Sequence, residues 1–271
     1  MMHPDSIRFR QGQAFLPCRT VSVVIPTLNE EKTILACLKA VLSAPEVIEV
    51  VVVDGGSCDA TLDVARRAGA RCLCVDTPVD SGGGRGGQIR AGLALATGDV
   101  VAVVHADACV PSRIFRAMIR ALNTGRSVIG GAVGCRFDTS GYDRATRIRC
   151  RVIDVLNHIR VLVSGISFGD QVQFFRREPV IRYGVFPAIP LMEDVELALR
   201  LRSLGRQVYL NGKVLVSPRR WQRKGAANAF LVAGLFFLYL FQRSRNLSDP
   251  MFFYRCYYGI PTDARSVEEA H

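Results

Sequence analysis

Acidic residues are scarce in this 271-residue chain: 24 Asp and Glu stand against 35 Lys and Arg, a formal charge of +11. That balance favours anionic partners such as nucleotides, phosphates or anionic lipid. The nine cysteines are an odd count and lack the spacing of a secreted disulfide framework. No secretory signal opens the chain, so a reducing cytosol is expected. Cys72 and Cys74 have no second cysteine pair at zinc spacing and read as strand thiols. The longest apolar stretch, residues 229–241, falls short of the roughly twenty residues that span a bilayer. It reads first as a buried helix. Contact with a membrane interface is the second reading, because Arg223, Lys224, Arg243 and Arg245 flank it. No Walker A loop, internal repeat, low-complexity tract or nucleic-acid recognition motif is found, and no nucleic-acid partner is expected.

What is present is a strand–helix alternation. Hydrophobic residues are 49% of the chain, enough for a sizeable core. Residues 21–25 read as a strand stopped by Pro26. A helix follows, capped by Thr27 or Asn29, with an apolar stripe of Ile34, Leu35, Leu38, Val41 and Leu42. Residues 50–53 are a second buried strand, with Asp59 or Ser57 capping a helix over 61–68. Residues 71–75 are a third strand. A glycine loop over 82–87 and a helix over 88–96 lead to the run Val100-Val101-Ala102-Val103-Val104. Short spacing of this kind predicts a parallel sheet with right-handed crossovers.

The polar residues gather at strand exits. The central strand ends in His105 and Asp107, two apart on an extended chain and so on one side. Asp54 ends the second strand, and Glu30 lies just past the first. Ligands of open parallel sheets bind outside the strands' carboxyl ends. Clustered carboxylates call for a cation or hydrogen-bond donors between them. A nucleoside diphosphate with Mg²⁺ or Mn²⁺ supplies both. The alternatives are that each carboxylate caps a helix, and that Asp107 only starts a loop. The glycine run contains a G-x-G-x-x-G match but does not directly follow the first strand of its unit. It reads as a place where backbone and Arg85 approach a phosphate or sugar.

Four stretches together resemble a known family. They are Val23-Val24-Ile25-Pro26-Thr27-Leu28-Asn29-Glu30, Val52-Val53-Asp54-Gly55-Gly56-Ser57, Gly98-Asp99 leading to His105-Ala106-Asp107, and Met192-Glu193-Asp194-Val195. Their order over about 20–220 resembles family 2 glycosyltransferases. The resemblance implies the GT-A fold, a Rossmann-like, mainly parallel α/β sheet flanked by helices. Glu193 and Asp194 would open a helix, with Asp194 as general base and Glu193 either beside it in catalysis or favouring the helix dipole. Pro26, Thr27, Glu30, Asp54, Arg85 and His105 would meet the donor nucleotide. Asp107, with His105 in the place usual for the first Asp of a DxD motif, would hold Mg²⁺ or Mn²⁺. His-Ala-Asp, Gly169-Asp170-Gln171 and Arg219-Arg220-Trp221 more narrowly resemble a bacterial subgroup annotated near radical-SAM genes and linked to arsenosugar synthesis. Asp170, Gln171, Arg220 and Trp221 are placed on the acceptor side.

The expected organisation is an arm over 1–20, a GT-A domain over 21–222, an apolar helical extension over 223–260 and a polar tail over 261–271. Residues 142–166, with Arg144, Arg147, Arg149, Arg151 and Arg160, read as a long basic helix whose face is solvated or meets acidic lipid or phosphate. The expected activity is metal-dependent, inverting transfer from a UDP- or GDP-sugar to an acceptor hydroxyl, lipid-linked or small. The expected setting is the cytoplasm, with peripheral contact at the inner face of a membrane. A nucleotidyltransferase of similar fold and a non-catalytic nucleotide-sugar-binding protein are the alternatives. The first would want a basic triphosphate loop where Glu30 and Glu31 stand.

Overall fold

A computed structural model describes residues 15–75, 77–81, 83–125, 127–168, 171–218, 227–247 and 249–259. Asp170, Arg219, Arg220, Trp221, Arg223, Lys224 and the expected tail lie outside the described residues. The first half runs β1 (Val21–Thr27), α1 (Ile34–Leu42), β2 (Val47–Asp54), α2 (Thr61–Arg67), β3 (Arg71–Cys74), α3 (Gly84–Leu95) and β4 (Val100–Val103). Then come β5 (Ala108–Cys109), α4 (Arg113–Thr124), β6 (Val128–Phe137), α5 (Arg144–Ser164), β7 (Gln173–Arg176) and α6 (Arg177–Arg182). The chain continues through α7 (Glu193–Leu204), β8 (Arg206–Val216), α8 (Ala227–Ser244) and α9 (Pro250–Tyr258).

The strands form one sheet in the order β3-β2-β1-β4-β7-β6-β8-β5. The block β3-β2-β1-β4 is parallel, and β6 pairs β8 in parallel. β7 runs antiparallel to both β4 and β6, and β5 antiparallel to β8. The sheet is therefore mixed beyond β4. The valine runs of β1, β2 and β4 are buried because helices cover both faces. Ile34, Leu38, Phe115, Met118 and Leu122 from α1 and α4 pack on one side. Ile89, Leu93, Leu197, Leu201 and Leu204 from α3 and α7 pack on the other.

Local expectations are corrected at several points. β1 does not stop at Pro26: Pro26 pairs with Val53 and Thr27 with Asp54. The Val24 carbonyl faces β4, accepting from the Val104 N–H, and the Thr27 carbonyl faces β2, accepting from Gly55. The imino nitrogen of Pro26 thus points to the β4 side, past the last β1–β4 pair, Val24 with Val103. Proline has no N–H to donate to β4 there, and the β1–β4 ladder goes no further. α1 buries Ile34, Cys37, Leu38 and Val41, while Leu35 and Leu42 are exposed. Its N-cap is Thr33 without a side-chain cap; Asn29 instead accepts from the Cys58 N–H at 2.9 Å. α3 begins at Gly84, so most of the glycine run is the first turn of a helix. The strand expected over 169–175 starts at Gln173. Residues 16–20 are pinned to the body. Asn123 bonds both the N–H and the carbonyl of Cys18 at 2.9 Å, and Asp99 accepts from Arg19 and Thr20.

α8 is longer than the apolar stretch predicted and is buried on one side only. Leu235, Phe236 and Tyr239 are buried against Ile166, Leu191, Met192, Val195 and Phe253, while Phe237 and Phe241 are exposed. Arg243 is committed to Glu196 of α7 at 2.6 Å, and Arg245 stacks on Phe241. Among the described residues no helix is long and apolar enough to cross a membrane.

Candidate active site

The carboxyl ends of β1, β2 and β4 open into a cleft of about 470 Å³. Pro26 and Thr27 at the end of β1, Leu28 and Glu30 just past it, Gly55 after β2, and His105, Ala106 and Asp107 after β4 line it. Val75, Thr77 and Val79 after β3, Gly84, Arg85 and Gln88 of α3, and Pro190 line it as well. Six of the expected residues therefore meet here: Pro26, Thr27, Glu30, Arg85, His105 and Asp107. His105 and Asp107 lie past the end of β4 in a turn closed by the Ala108 N–H on the His105 carbonyl.

Asp54 lies beneath this floor, fully buried. Its oxygens accept from Thr27 Oγ1 at 3.1 Å, the Gly56 N–H at 3.0 Å, the Ser57 N–H at 2.7 Å and Ser57 Oγ. Its geometry is that of a brace that shapes the β2–α2 turn. Gln88, which sequence reasoning missed, does related work. Its Nε2 donates to the Thr27 carbonyl at 2.8 Å and the Val53 carbonyl at 3.1 Å, tying the ends of β1 and β2. A Cβ on Gly55 would come within 2.7 Å of that nitrogen, so a larger residue there would displace the amide from its two carbonyls.

Arg85 departs from its expected place in one respect: it reaches the acidic pair. Its Nε donates to Glu193 Oε1 and its Nη2 contacts Asp194 Oδ2 at 3.5 Å. Glycines on either side of Arg85 make the reach possible. A Cβ on Gly86 would meet the Ile189 carbonyl oxygen at 2.1 Å, and Gly84 has φ +71° against Pro190. The start of α3 thus presses on the segment that feeds α7. Met192, just before the pair, is held at φ 63°, a strained conformation for a residue with a side chain.

Glu193 and Asp194 are both buried. Burial pushes the Glu193 carboxyl up to about 7, opposed by the Arg85 charge and assisted by Asp194. Burial works against the Arg85 cation too, but Glu193 and Asp194 outweigh it and raise its pKa. Glu193 Oε2 has no protein hydrogen-bond partner. Asp194 Oδ1 accepts from the Val195 N–H at 2.7 Å, and its carbonyl accepts from Gln173 Nε2 at 2.9 Å. Glu193 is therefore an Arg85 partner rather than a solvent-facing charge at a helix start.

Gln171, expected on the acceptor side, is buried. It is 1% exposed, accepts from Arg160 Nη2 at 3.1 Å and the Phe168 N–H at 3.2 Å, and donates to the Tyr209 hydroxyl. Its role is to pin the turn after α5. Asp170, Arg220 and Trp221 lie outside the described residues. The remaining wall of the cleft is Tyr254, Tyr257 and Tyr258 of α9, which sequence reasoning missed. The signal was there as Tyr-x-x-Tyr-Tyr, one helical face at i, i+3 and i+4.

Among the described residues no three His, Cys, Asp or Glu converge as a ready-made metal cage. Asp107 and His105 nonetheless fit a divalent ion held jointly with a phosphate-bearing ligand, since Mg²⁺ is commonly bound through one or two carboxylates plus substrate phosphates.

Comparison with known proteins agrees with this geometry. The family model for glycosyl transferase family 2 matches residues 22–184. The chain is 30% identical over 205 residues to the amylovoran biosynthesis glycosyltransferase AmsE of Erwinia amylovora, covering 73% of this chain and 75% of that one. It is 29% identical over 158 residues to an undecaprenyl-phosphate 4-deoxy-4-formamido-L-arabinose transferase of Enterobacter sp., covering 55% of this chain and 46% of that one. Several other curated relatives are matched over half of their length or less. Glucosyl-3-phosphoglycerate synthase of Mycobacterium tuberculosis, solved with Mn²⁺, UDP and glucosyl-3-phosphoglycerate, superposes with a TM-score of 0.52 at 25% identity, covering 77% of this chain and 75% of that one. The sheet, the order of the motifs and these likenesses agree: the chain belongs to the family 2 glycosyltransferases.

Proposed function

We propose that this glycosyltransferase moves a sugar from a nucleoside-diphosphate donor, a uridine one by preference, to an acceptor hydroxyl, with inversion and with Mg²⁺ or Mn²⁺. The observation that carries the reading is the placement of Arg85. It lines the cleft that holds His105 and Asp107, and it also bonds the acidic pair at the head of α7. The likeness to a synthase solved with UDP and Mn²⁺ supports the uridine donor and the ion.

The chemistry follows from the charges. The acceptor oxygen forms a bond to the anomeric carbon as the bond to the diphosphate oxygen breaks. Its proton goes to Asp194, and the diphosphate leaves with the electron pair. A guanidinium carries five N–H donors, so Arg85 can bond the leaving diphosphate while still holding the carboxylates. Asp107 would hold the ion, since carboxylate oxygen suits Mg²⁺ and Mn²⁺ better than imidazole does. His105 would complete the shell or meet a ribose hydroxyl. A bound ion offsets charge growing on the leaving group. Thr27 and Glu30, with Asp54 bracing the turn below, would receive the nucleoside. The test is calorimetry of UDP with and without Mn²⁺. Binding should be strong only with the ion, and Asp107→Ala should remove the difference. Equal affinity in Asp107→Ala and parent with Mn²⁺ takes Asp107 out of the metal site.

The acceptor is proposed to lie at an anionic lipid surface on the cytosolic side. The observation is α5: Ile148, Val152, Val155, Leu156, Ile159, Leu162 and Val163 are 49–83% exposed. The same helix carries five Arg against one Asp. The likeness to a transferase named for undecaprenyl phosphate supports a lipid-borne acceptor. The reading stays at the family, because the likenesses that support it do not extend to the narrower subgroup.

A further inference from the structure

The cleft has a wall that strand exits and α3 do not supply. Tyr254, Tyr257 and Tyr258 face the same space as Glu30, Arg85, His105 and Asp107. They are the only Phe, Tyr or Trp side chains among the described residues that line it. The rings lie against one another: Tyr254 and Tyr258 are 4.6 Å apart by centroid, and Tyr257 and Tyr258 are 5.0 Å apart.

The helix that carries them is built to stay in place. Asp249 caps its start, accepting from the Met251 N–H at 2.9 Å, with Pro250 in the first turn. Gly259 closes its end in the left-handed conformation, at φ 72°. Phe253, beside the tyrosines on the flank of the helix, is fully buried 5.3 Å from the ring of Tyr239. Tyr239 is itself bonded to Glu196 at 2.8 Å. Glu196 lies one helical turn from Glu193, so α9 is referenced through α8 to the acidic pair. Tyr258 also sits near enough to Arg85 to act on its charge.

We infer that the α9 tyrosines form the donor cover, packing on the diphosphate–hexose half of the nucleotide sugar. The inference rests on the donor reading above and adds the group that closes the cleft. The position beside Arg85, which bonds Glu193 and Asp194, fits the half of the donor where the reaction occurs. A phenol is suited there. Its ring packs on the C–H face of a hexose and excludes water, and its hydroxyl donates to a phosphate oxygen without adding charge.

The test is calorimetry with Mn²⁺ on parent, Tyr257→Ala, Tyr258→Ala, Tyr258→Phe and Cys256→Ser, using uridine, UDP and UDP-glucose as probes. Cys256 is exposed on the same helix and does not line the cleft. Each Tyr→Ala change should weaken UDP-glucose about 5-fold or more. Uridine should be unaffected, and Cys256→Ser should match the parent. Tyr258→Phe should recover the UDP-glucose affinity in part, separating ring from hydroxyl. Unchanged UDP-glucose affinity in both Ala variants, with melting temperatures near the parent's, overturns the cover. An equal loss for uridine overturns it as well, because the wall then serves the base. A parent that binds UDP-glucose while the variants match it sinks only the cover. A parent that binds none of the probes sinks the donor reading and the cover together.

Discussion

Glu193 and Asp194 are neighbours in sequence, but their surroundings assign them different work. Glu193 is 2% exposed and its Oε1 accepts from the Nε of Arg85. Asp194 is the base in the proposed reaction, and Asn keeps its size without accepting a proton. Asp194→Asn should leave UDP and Mn²⁺ affinity nearly unchanged and lower transfer by roughly 10²-fold or more. Near-parent transfer in that variant, with Glu193→Gln inactive, would move the base to Glu193. Glu193 also has a signature in stability. Its carboxyl sits near 7 in the folded chain against 4.5 in the unfolded one, so the fold favours its protonated form. That contribution is complete below about pH 4.5 and is lost as pH rises through 7. Parent stability should therefore fall relative to Glu193→Gln between pH 5 and 8, by on the order of 2–3 kcal/mol. Denaturant titrations at the two pH values measure it. Parallel pH curves for parent and variant would mean that Glu193 is ionised throughout.

At the scale of elements, the site depends on how loops and helix starts lock together. The loop after β1 is bonded to the loop after β2: Asn29 N–H to Ser57 Oγ at 2.8 Å, Glu30 N–H to Thr61 Oγ1 at 2.8 Å, and Glu31 N–H to Asp59 Oδ2 at 3.2 Å. Side chains that read as helix caps thus join two loops, with Asp59 also accepting from the Thr61 N–H at 3.0 Å. α7 is tied to α8 by Glu196, which takes Arg200, Tyr239 and Arg243. α3 is set by its glycines. Gly86→Ala forces a carbon against the Ile189 carbonyl, where backbone must move. It should cost about 1–3 kcal/mol and lower transfer by shifting Arg85. Gly234, in α8, has open space around a would-be Cβ. Gly234→Ala should hold or raise the melting temperature, since alanine suits a helix better. Thermal melts of the two variants decide the matter. A Gly86→Ala protein as stable and active as the parent would show that the α3–Ile189 contact is not needed.

At the scale of the whole molecule, one surface differs from the rest. α5 buries Thr146, Cys150 and Val161 on its inner side. Its outer side repeats Ile148, Val152, Val155, Ile159 and Leu162 at alternating steps of four and three, a second apolar stripe facing solvent. Exposed Arg144, Arg147 and Arg151 crowd its first half. Such a helix suits the boundary of an anionic bilayer. The protein should float with phosphatidylglycerol vesicles at low salt, less with phosphatidylcholine ones, and release at high salt as charges are screened. Val155→Asp with Leu162→Asp should abolish flotation while leaving UDP affinity intact. No flotation at low salt, with a dimer in solution that the same changes dissociate, would assign the stripe to a second copy of the chain.

Much of the frame was legible from residues alone. Runs as apolar as 21–25, 50–53 and 100–104 do not suit a half-exposed strand, so β1, β2 and β4 and the helices covering them followed from composition and spacing. The polar groups at their exits followed from the rule that parallel sheets bind at carboxyl ends. Pairing was not legible in the same way. β7 lies between β4 and β6 and reverses the sheet, which local pattern does not encode because it depends on which edges are left open. The bonds of Gln171 to Arg160, Phe168 and Tyr209 were not legible either, since sequence shows that an amide is present but not which way it points. Arg85 with Glu193 and Asp194 lies 108 and 109 residues apart in the chain, and the tyrosines of α9 are farther still from Thr27. Strand exits and family motifs were set by local chemistry, which the sequence determined by itself. The clamp on the acidic pair and the aromatic wall were decided only by tertiary structure, because each needs close packing between segments whose separation along the chain carries no record of their meeting.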